Sequence, residues 1–427
     1  MNVKKLRELI CDMSAQTKKI LSEIYVNPAE QKDRILGAID CFTELFGEHR
    51  DVCLLSVPGR SEVLGNHTDH NRGKVLACAI DRDIIAVVSP NADGIVNLKS
   101  EGYENDCVDL SLVDDKRAYP KYSSSSLVLG TAAGFKLSGF KFGGFDGYAT
   151  SEVLRGSGIS SSAAFEVMIG NVFNHLYNGG EIPNTVIAKI SQYAENQYFG
   201  KPCGLMDQMA CAVGGFVYID FEDPKNPTIE SVDFSLDGAG YNLCIVNTGG
   251  NHADLNEDYA SVPVEMKRVA KVFGRAELRG LSEKDIIAKI ADIRAALGDR
   301  ALLRAVHFMR ENERVESSKE ALKEGNLHEF FKMVIASGKS SFEFLQNVYT
   351  TKNVSEQGLS LALLVTEGFL SGKDGACRVH GGGFAGTIQA YIRKEEAQEY
   401  SLLMESIFGE GAVMKLNVRS LGAIKLI

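Results

Sequence analysis

Apolar and polar residues alternate along this chain with two different periods, which separate helical regions from strand regions. Over the first ~50 residues the spacing of apolar positions predicts helices. From Val52 onward the apolar residues form short runs rich in β-branched side chains, which is typical of strands. We predict a strand at residues 52–59 that Pro58 and Gly59 end, and a strand or hairpin at residues 75–90.

The rest of the chain mixes both kinds of pattern. Helical spacing predicts helices at residues 123–140, 163–179 and 185–200, and a mostly helical region from Ala253 to about Gly372. β-Branched runs predict strands at residues 145–154, 214–221, 241–248 and 412–427. Residues 377–392 indicate a strand, a glycine loop, and then a strand or helix. Because helices and strands do not alternate as regular βαβ units, the predicted fold class is α+β.

A polar segment with two prolines, residues 222–230, lies between two predicted strands. We interpret it as a hairpin tip or a boundary between lobes. The chain has 427 residues, and at ~150 residues per domain this length suggests two domains.

Composition is that of an ordinary soluble globular protein, with 44% hydrophobic and 24% charged residues. A net charge of −10 argues against a nucleic-acid binder that relies on a basic surface. The nine cysteines are scattered and form no CxxC motif, so we interpret them as buried free thiols. The sequence begins without the apolar stretch of a signal peptide and has no membrane-spanning run, so we expect a cytoplasmic protein.

A glycine- and serine-rich segment, residues 156–173, follows a predicted strand and opens a predicted helix. Glycines that allow close approach, serine hydroxyls and a helix N-terminus are the features that bind phosphate. The segment is not a Walker loop, since no Gly-Lys-Ser/Thr follows. A simple turn that caps the helix is the alternative.

Two further loops and one acidic pair carry candidate chemistry. Residues 58–74 concentrate carboxylate, imidazole and amide groups that suit a polyhydroxylated ligand, unless the loop is merely solvated. The glycines of residues 381–386 favour close approach of a ligand or another chain segment, or else a strained turn. Glu195 and Asp207 could hold Mg²⁺ and accept a hydroxyl proton, although an acidic pair alone is usually a solvated face or a helix cap.

Together these motifs resemble the galactokinase family of the GHMP kinase superfamily. The order is Gly-Arg…Gly-x-His-Thr-Asp, then Gly-Ser-Gly-Ile-Ser-Ser-Ser-Ala-Ala, then Cys-Gly-Leu-Met-Asp-Gln, and a late Gly-Gly-Gly-Phe-x-Gly. The resemblance spans roughly residues 40–425. It implies a two-lobed α+β GHMP kinase fold with the active site between the lobes, an N-terminal lobe at residues 1–221 and a C-terminal lobe at residues 222–427. It also implies transfer of the ATP γ-phosphoryl group to the C1 hydroxyl of galactose.

The resemblance also implies residue roles. Asp207 corresponds to the catalytic aspartate and Arg60 to the arginine that keeps it ionised, while Ser162 and Glu195 correspond to Mg²⁺ ligands. The phosphate cradle for ATP corresponds to Gly156, Ser157, Gly158, Ser160, Ser161 and Ser162. The sugar-binding residues correspond to Asn66, His67, Asp69, His70, Gly204 and Tyr259. Gly382 and Gly383 correspond to a third loop that supports the site.

Several positions depart from the usual galactokinase pattern, Gly-Arg-x-Asn-x-x-Gly-Glu-His-Thr-Asp-Tyr. Glu62 stands where Asn is usual, Asn66 where Glu is usual, and His70 where Tyr is usual. The lost Glu and the Asp69-His70 pair are similar to galacturonokinases, which phosphorylate a sugar with a C6 carboxylate. The chain has no Trp for the adenine pocket, and His380 replaces the usual Thr of the third loop.

We therefore expect an ATP-dependent sugar 1-kinase that acts on galactose or on another sugar such as galacturonic acid. A non-catalytic sugar-sensing regulator is the alternative from another class. Since the Ser-Ser-Ser-Ala-Ala loop, Arg60 and Asp207 are all present, the enzyme is favoured. The expected partners are a small-molecule sugar and ATP with Mg²⁺, with no nucleic acid and no membrane, and we expect a monomer.

Overall fold

The structure, a computed structural model, describes residues 1–153, 158–250 and 255–427. Helices and strands occur in mixed order, so the predicted α+β class is confirmed. The helices are α1 (Val3–Asp12), α2 (Ala15–Ile24), α3 (Pro28–Phe46), α4 (Ser124–Leu137), α5 (Ser161–Tyr177), α6 (Asn184–Ala194), α7 (Met206–Val213), α8 (Asn256–Val272), α9 (Glu283–Ala288), α10 (Ile290–Leu297), α11 (Asp299–Lys323), α12 (Leu327–Ser340), α13 (Gly358–Phe369) and α14 (Ala397–Phe408). The strands are β1 (Cys53–Leu64), β2 (Lys74–Pro90), β3 (Ile95–Ser100), β4 (Asn105–Asp109), β5 (Phe145–Ser151), β6 (Phe216–Asp220), β7 (Thr228–Val232), β8 (Tyr241–Asn247), β9 (Ala376–His380), β10 (Thr387–Arg393), β11 (Val413–Leu416) and β12 (Ile424–Lys425).

The chain divides into two compact units, each assembled from separate parts of the sequence. The first unit is Met1–Arg60, Ala79–Gly215 and Arg419–Ile427, and the second is Ser61–Cys78 and Phe216–Val418. This division differs from the predicted lobes, 1–221 and 222–427, because residues 61–78, 216–221 and 419–427 belong to the other unit. Strand pairing accounts for the difference, since β12 pairs with β1 and the first half of β2 pairs with β6.

The first unit is organised around a mixed sheet with the strand order β12–β1–β2–β5–β3–β4. β3 and β5 are parallel, while β2 pairs with β5 and β3 pairs with β4 in the antiparallel sense. The N-terminal helices bury residues such as Ile35 and Phe42 against Ile85 and Val87 of β2. Helices α4 to α7 pack on one another. The candidate phosphate and acid motifs begin two of these helices, α5 and α7.

The second unit contains an antiparallel sheet with the order β11–β8–β10–β9. Helix α12 packs on β9, and α11 packs on both α8 and α12. The apolar core beneath α13 and α14 includes Val379, Ile388, Tyr400 and Met404. The predicted helical region after residue 253 is confirmed for the described residues, which form α8 to α13.

Two details of the predicted strands need comment. The predicted end of a strand at Pro58 and Gly59 is wrong, because β1 continues to Leu64. β12 pairs only with Leu55 and Ser56, so Pro58, which has no N–H to donate, lies beyond that pairing. The hairpin predicted at residues 222–230 is confirmed, since β6 and β7 pair antiparallel, but its tip is shorter because β7 already begins at Thr228.

All nine cysteines are free thiols. Five of them are buried, but Cys107 is exposed, so the expectation of general burial is wrong for that residue. Within residues 1–153, 158–250 and 255–427, no helix combines the length and the apolar character needed to cross a membrane.

Candidate functional site

Asp207 and Arg60 form an ion pair in the first unit. Nε of Arg60, in β1, donates to Oδ1 of Asp207 at 2.7 Å, and Nη1 donates to the carbonyl oxygen of Gly158 at 2.7 Å. Asp207 lies in the first turn of α7, where the helix dipole stabilises a negative charge. The Asp207 side chain is 28% exposed, so the carboxylate is held in orientation and is still accessible.

Ser160 holds the other oxygen of the same carboxylate. Its hydroxyl donates to Oδ2 of Asp207 at 2.6 Å. Burial by itself raises the pKa of Asp207, but the charge of Arg60 and the hydrogen bonds from Arg60 and Ser160 outweigh it and hold the pKa below its usual value. Asp207 is therefore ionised at neutral pH, which is the state needed to accept or orient a hydroxyl proton.

The serines of the glycine-rich segment lie at the N-terminus of α5. Ser160 precedes the helix in the left-handed conformation, with a φ of 62°, and its hydroxyl bonds to Asp207 instead of capping the helix. Ser161 and Ser162 form the first turn, whose N–H groups are suited to a phosphate. Gly156 and Ser157 of the predicted cradle lie outside the described residues.

Ser162 and Glu195, the predicted Mg²⁺ ligands, are in contact. The Ser162 hydroxyl donates to Oε1 of Glu195 at 3.0 Å. Mg²⁺ prefers such hard oxygen donors and commonly binds through one or two carboxylates together with substrate phosphates, so this donor set fits the ion. Within the described ranges, no group of three or more His, Cys, Asp or Glu side chains could hold a metal ion.

Gln208 holds Glu195 through its other oxygen. Its Nε2 donates to Oε2 of Glu195 at 2.7 Å and to Oε2 of Glu166 at 3.3 Å. Burial, followed by the nearby charge of Glu195, raises the pKa of Glu166 well above its usual value. One amide therefore joins two buried carboxyl groups and fixes the orientation of Glu195.

A cavity of about 820 Å³ in the first unit is lined by part of this cluster. Ser161, Ser162 and Lys201 supply polar groups to its wall, and Leu127 and Phe165 supply apolar surface. Small-molecule sites commonly combine an apolar wall with a few placed polar groups in this range of volume.

Asn66, in the second unit, has every donor of its side chain engaged. Its Nδ2 donates to Oε1 of Glu62 at 2.8 Å and to the carbonyl oxygen of Gly381 at 2.6 Å. Its Oδ1 accepts from Nδ2 of Asn347 at 2.7 Å. Because Asn66 is also 1% exposed, its side chain ties the loop at residues 58–74 to the late glycine loop.

His67 can donate from one ring nitrogen and accept at the other. Its Nε2 lies 2.9 Å from the carbonyl oxygen of Gly382, which can only accept, so Nε2 carries the proton. Burial lowers the pKa of His67 to about 4, so the ring is neutral at physiological pH and Nδ1 is an acceptor. Oδ1 of Asp69 accepts from the backbone N–H of His70 at 2.9 Å, and the exposed His70 ring lies 3.7 Å from the same carboxylate.

Tyr259 supports the late glycine loop. Its hydroxyl donates to the carbonyl oxygen of Gly383 at 2.8 Å. A Cβ on Gly382 would lie 2.5 Å from the Tyr259 ring, and a Cβ on Gly383, which has a φ of +80°, would lie 2.0 Å from the carbonyl oxygen of Asn347. Both positions therefore require glycine. His380 is buried beside them and bonds to Ser61 and Thr387.

The predicted site residues thus fall into two groups. The first unit holds Arg60, Gly158, Ser160, Ser161, Ser162, Glu195, Gly204 and Asp207. The second unit holds Asn66, His67, Asp69, His70 and Tyr259. Sequence reasoning missed Gln208 and Lys201. A signal existed for both, since Gln208 ends the Cys-Gly-Leu-Met-Asp-Gln motif and Lys201 lies two residues before it, but attention to carboxylates alone overlooked them.

Comparison with known proteins identifies both motif regions. The galactokinase galactose-binding signature matches residues 40–90, and the GHMP kinases N terminal domain matches residues 126–215. Galactokinase from Lactococcus lactis, solved with galactose, is 24% identical with a TM-score of 0.76, over 90% of this chain and 98% of that one.

More distant structures share the fold. Mevalonate kinase from Methanococcus jannaschii is 14% identical with a TM-score of 0.59, over 86% of this chain and 98% of that one. Phosphomevalonate kinase from Streptococcus pneumoniae, solved with phosphomevalonate and AMPPNP, is 13% identical with a TM-score of 0.57, over 87% and 99%. These likenesses confirm the predicted GHMP kinase fold.

Proposed function

We propose that this chain belongs to the galactokinase family of GHMP kinases and that it is an ATP-dependent sugar 1-kinase. It transfers the terminal phosphoryl group of ATP to the anomeric C1 hydroxyl of a galactose-type sugar and yields the sugar 1-phosphate and ADP. The single observation that carries this proposal is the Asp207 carboxylate, held at one oxygen by Arg60 and at the other by Ser160.

Asp207 serves as the base or orienting group for the C1 hydroxyl. Its depressed pKa keeps it ionised, and its two hydrogen bonds fix the direction of the carboxylate. Arg60 compensates that charge and also offsets negative charge that develops during phosphoryl transfer. The proton of the hydroxyl passes to Asp207 as the new O–P bond forms and the bond to the ADP leaving group breaks.

ATP and Mg²⁺ are held by the first unit. The Mg²⁺ ion, when bound, neutralises phosphate charge and is held by Ser162 and Glu195, with Gln208 keeping Glu195 in orientation. The N-terminus of α5, with Gly158 and the serines after it, binds phosphate oxygens. The cavity of about 820 Å³ takes the nucleoside. The roles of Gly156 and Ser157 in the same cradle remain predictions.

The sugar is bound by residues that the galactokinase resemblance names. Neutral His67 accepts a hydrogen bond from one sugar hydroxyl at Nδ1, and the Asp69 carboxylate accepts a hydrogen bond from a second hydroxyl. In the family pattern Gly204 and Tyr259 also correspond to sugar contacts, and the Tyr259 hydroxyl supports Gly383.

One observation favours a second candidate substrate with a C6 carboxylate, such as galacturonic acid. The residue at position 66, usually Glu, is an uncharged Asn, and the carboxylate of Glu62 is buried against it. Position 66 therefore presents no negative charge that would repel a carboxylate on the sugar.

The test is ATP consumption by the purified protein with galactose, galacturonate, arabinose, galactosamine and N-acetylgalactosamine. We expect turnover with galactose or galacturonate, with the new phosphate on the anomeric carbon as identified by ³¹P NMR. Binding of a sugar by calorimetry without any turnover would instead identify a sugar-sensing regulator and contradict the proposal.

A further inference from the structure

Lys201 lies against Glu195, one of the two residues that we propose as Mg²⁺ ligands. Its Nζ is 3.2 Å from Oε1 of Glu195, the same oxygen that accepts the Ser162 hydroxyl. From this geometry we propose that Lys201 binds the phosphate chain of ATP and supplies a second positive charge at the transferring group. The inference rests on the function proposed above.

Local structure fixes the position of Lys201 relative to Glu195. The residues Glu195–Phe199 form a wide helical turn, and Gly200 ends it with a left-handed φ of 90°. The backbone N–H of Lys201 then donates to the carbonyl oxygen of Glu195 at 3.2 Å. The chain therefore turns back on itself, and the lysine side chain is set beside the carboxylate six residues earlier.

The Lys201 side chain is placed to reach a ligand. It is 55% exposed, whereas Glu195 is 2% exposed, and it lines the cavity together with Ser161 and Ser162. A group held by Ser162 and Glu195 through a metal ion would thus lie beside the lysine ammonium. Glu195 keeps its orientation through Gln208, so Lys201 is not required to hold it.

The chemistry suits a phosphate. A lysine ammonium is a compact point charge with three donors that binds phosphate oxygens in many nucleotide sites. Negative charge builds up on the leaving oxygen during phosphoryl transfer, and a cation fixed nearby stabilises that charge. The alternative is that Lys201 is only a counter-ion that neutralises the buried Glu195.

Nucleotide binding separates these two roles. We would measure the affinities of Mg²⁺-ATP and of AMP by calorimetry for the wild type, Lys201→Met, Lys201→Gln and Lys201→Arg. A matched control is Lys136→Met, since Lys136 is also a half-exposed lysine of the first unit in an ion pair, with Asp114 at 2.7 Å. AMP lacks the terminal phosphates, so its binding reports on the nucleoside site and on folding.

We expect Lys201→Met and Lys201→Gln to weaken ATP binding about 10- to 100-fold, while AMP binding stays within about twofold. Lys201→Arg should keep most of the ATP affinity, and Lys136→Met should match the wild type. The proposal is overturned if both neutral variants keep the wild-type ratio of ATP affinity to AMP affinity, whether neither affinity changes or both fall equally. If the wild type binds neither nucleotide, the proposed kinase function fails as well, and the two failures are thereby distinguished.

Discussion

Asn66 donates a hydrogen bond to Glu62 at 2.8 Å, so two positions that depart from the usual galactokinase pattern are in direct contact. The residue types at these positions are exchanged relative to that pattern, in which Asn stands at 62 and Glu at 66. The pair still contains one amide and one carboxylate, but the negative charge now lies at Glu62, 3.7 Å from the buried Arg378 guanidinium. The two departures therefore form one compensated exchange.

The exchange predicts strong coupling between the two positions. Asn66→Glu alone would place two carboxylates together, and Glu62→Asn alone would leave Arg378 without that charge, so each should lower the free energy of unfolding by about 1–3 kcal/mol. The double variant should recover part of the loss, with a coupling of about 0.5–3 kcal/mol. Urea unfolding followed by far-UV circular dichroism measures it, since the chain has no Trp. Strictly additive effects would show that the pair is not an exchange.

The same double variant tests which C6 group the sugar site prefers. Restoring Glu at position 66 supplies an acceptor for a C6 hydroxyl and a charge that repels a C6 carboxylate. The ratio of kcat/KM for galactose to that for galacturonate should rise roughly 10- to 150-fold, the value of one charge-assisted hydrogen bond. His70→Tyr, which alters the third departure alone, is the control. A ratio that stays constant in the double variant contradicts a role of position 66 in C6 recognition.

Asp207→Asn should abolish most of the catalysis and leave substrate binding near the wild-type value. The amide keeps the shape of the carboxylate but cannot take a proton, and a positioned base contributes about 10²–10⁴ in rate. Asp299→Asn is a matched control, because Asp299 also lies in a first helical turn and accepts from an arginine, Arg294, at 2.7 Å. A variant that keeps more than about a tenth of the wild-type kcat would show that Asp207 is not the base.

Glu195→Gln should raise the Mg²⁺ concentration needed for ATP binding. The substitution removes the charge of a proposed ligand while Gln208 and Ser162 remain, so we expect a shift of about tenfold or more. Calorimetry of ATP binding across a Mg²⁺ titration measures it without relying on turnover. Glu329→Gln, at an exposed pair with Lys332, is the control. A titration that matches the wild type would place the ion elsewhere.

The sequence was sufficient for the fold class and for local elements, but not for contacts that depend on distant segments. The helix at Ser124 and the hairpin of β6 and β7 follow from nearby residues, through serine capping and proline turns. The continuation of β1 past Pro58 depends instead on its place in the sheet beside β2, since β12 pairs only with Leu55 and Ser56. Local patterns could not show this, because a proline is tolerated or excluded according to which strand neighbours it.

The engagement of Asn66 shows the same limit within the candidate site. We expected its side chain to face the sugar, and this role stays a prediction. In the structure its side chain hydrogen-bonds to Gly381 and Asn347, which lie 315 and 281 residues later in the sequence. Motif comparison identified position 66 as unusual. Only the tertiary structure shows that its side chain must donate to the carbonyl oxygen of Gly381, which an amide can do and a carboxylate cannot.

Because His307 is buried, we expect the free energy of unfolding to fall on mild acidification. His307 is fully buried on α11, with Nδ1 2.9 Å from the Ser340 hydroxyl and Nε2 3.0 Å from the Asn66 carbonyl oxygen. Burial lowers its pKa to about 4, whereas a histidine in the unfolded chain has a pKa of about 6.5. Below pH 6.5 the unfolded chain therefore takes up a proton that the folded chain does not, and stability falls as the pH is lowered.

This effect should cost about 2 kcal/mol in the free energy of unfolding between pH 7 and pH 5. The neighbouring Glu311, whose pKa is about 2 despite burial because Arg314 lies beside it, changes stability mainly below pH 4.5. Burial also lowers the pKa of His67 and His175, so the share of His307 is the part of the difference that His307→Gln removes. Urea unfolding at pH 7 and pH 5 should show a smaller difference for His307→Gln than for the wild type. His49→Gln, at an exposed position, should keep the wild-type difference. Equal differences in the wild type and His307→Gln would mean that His307 titrates normally in the folded protein.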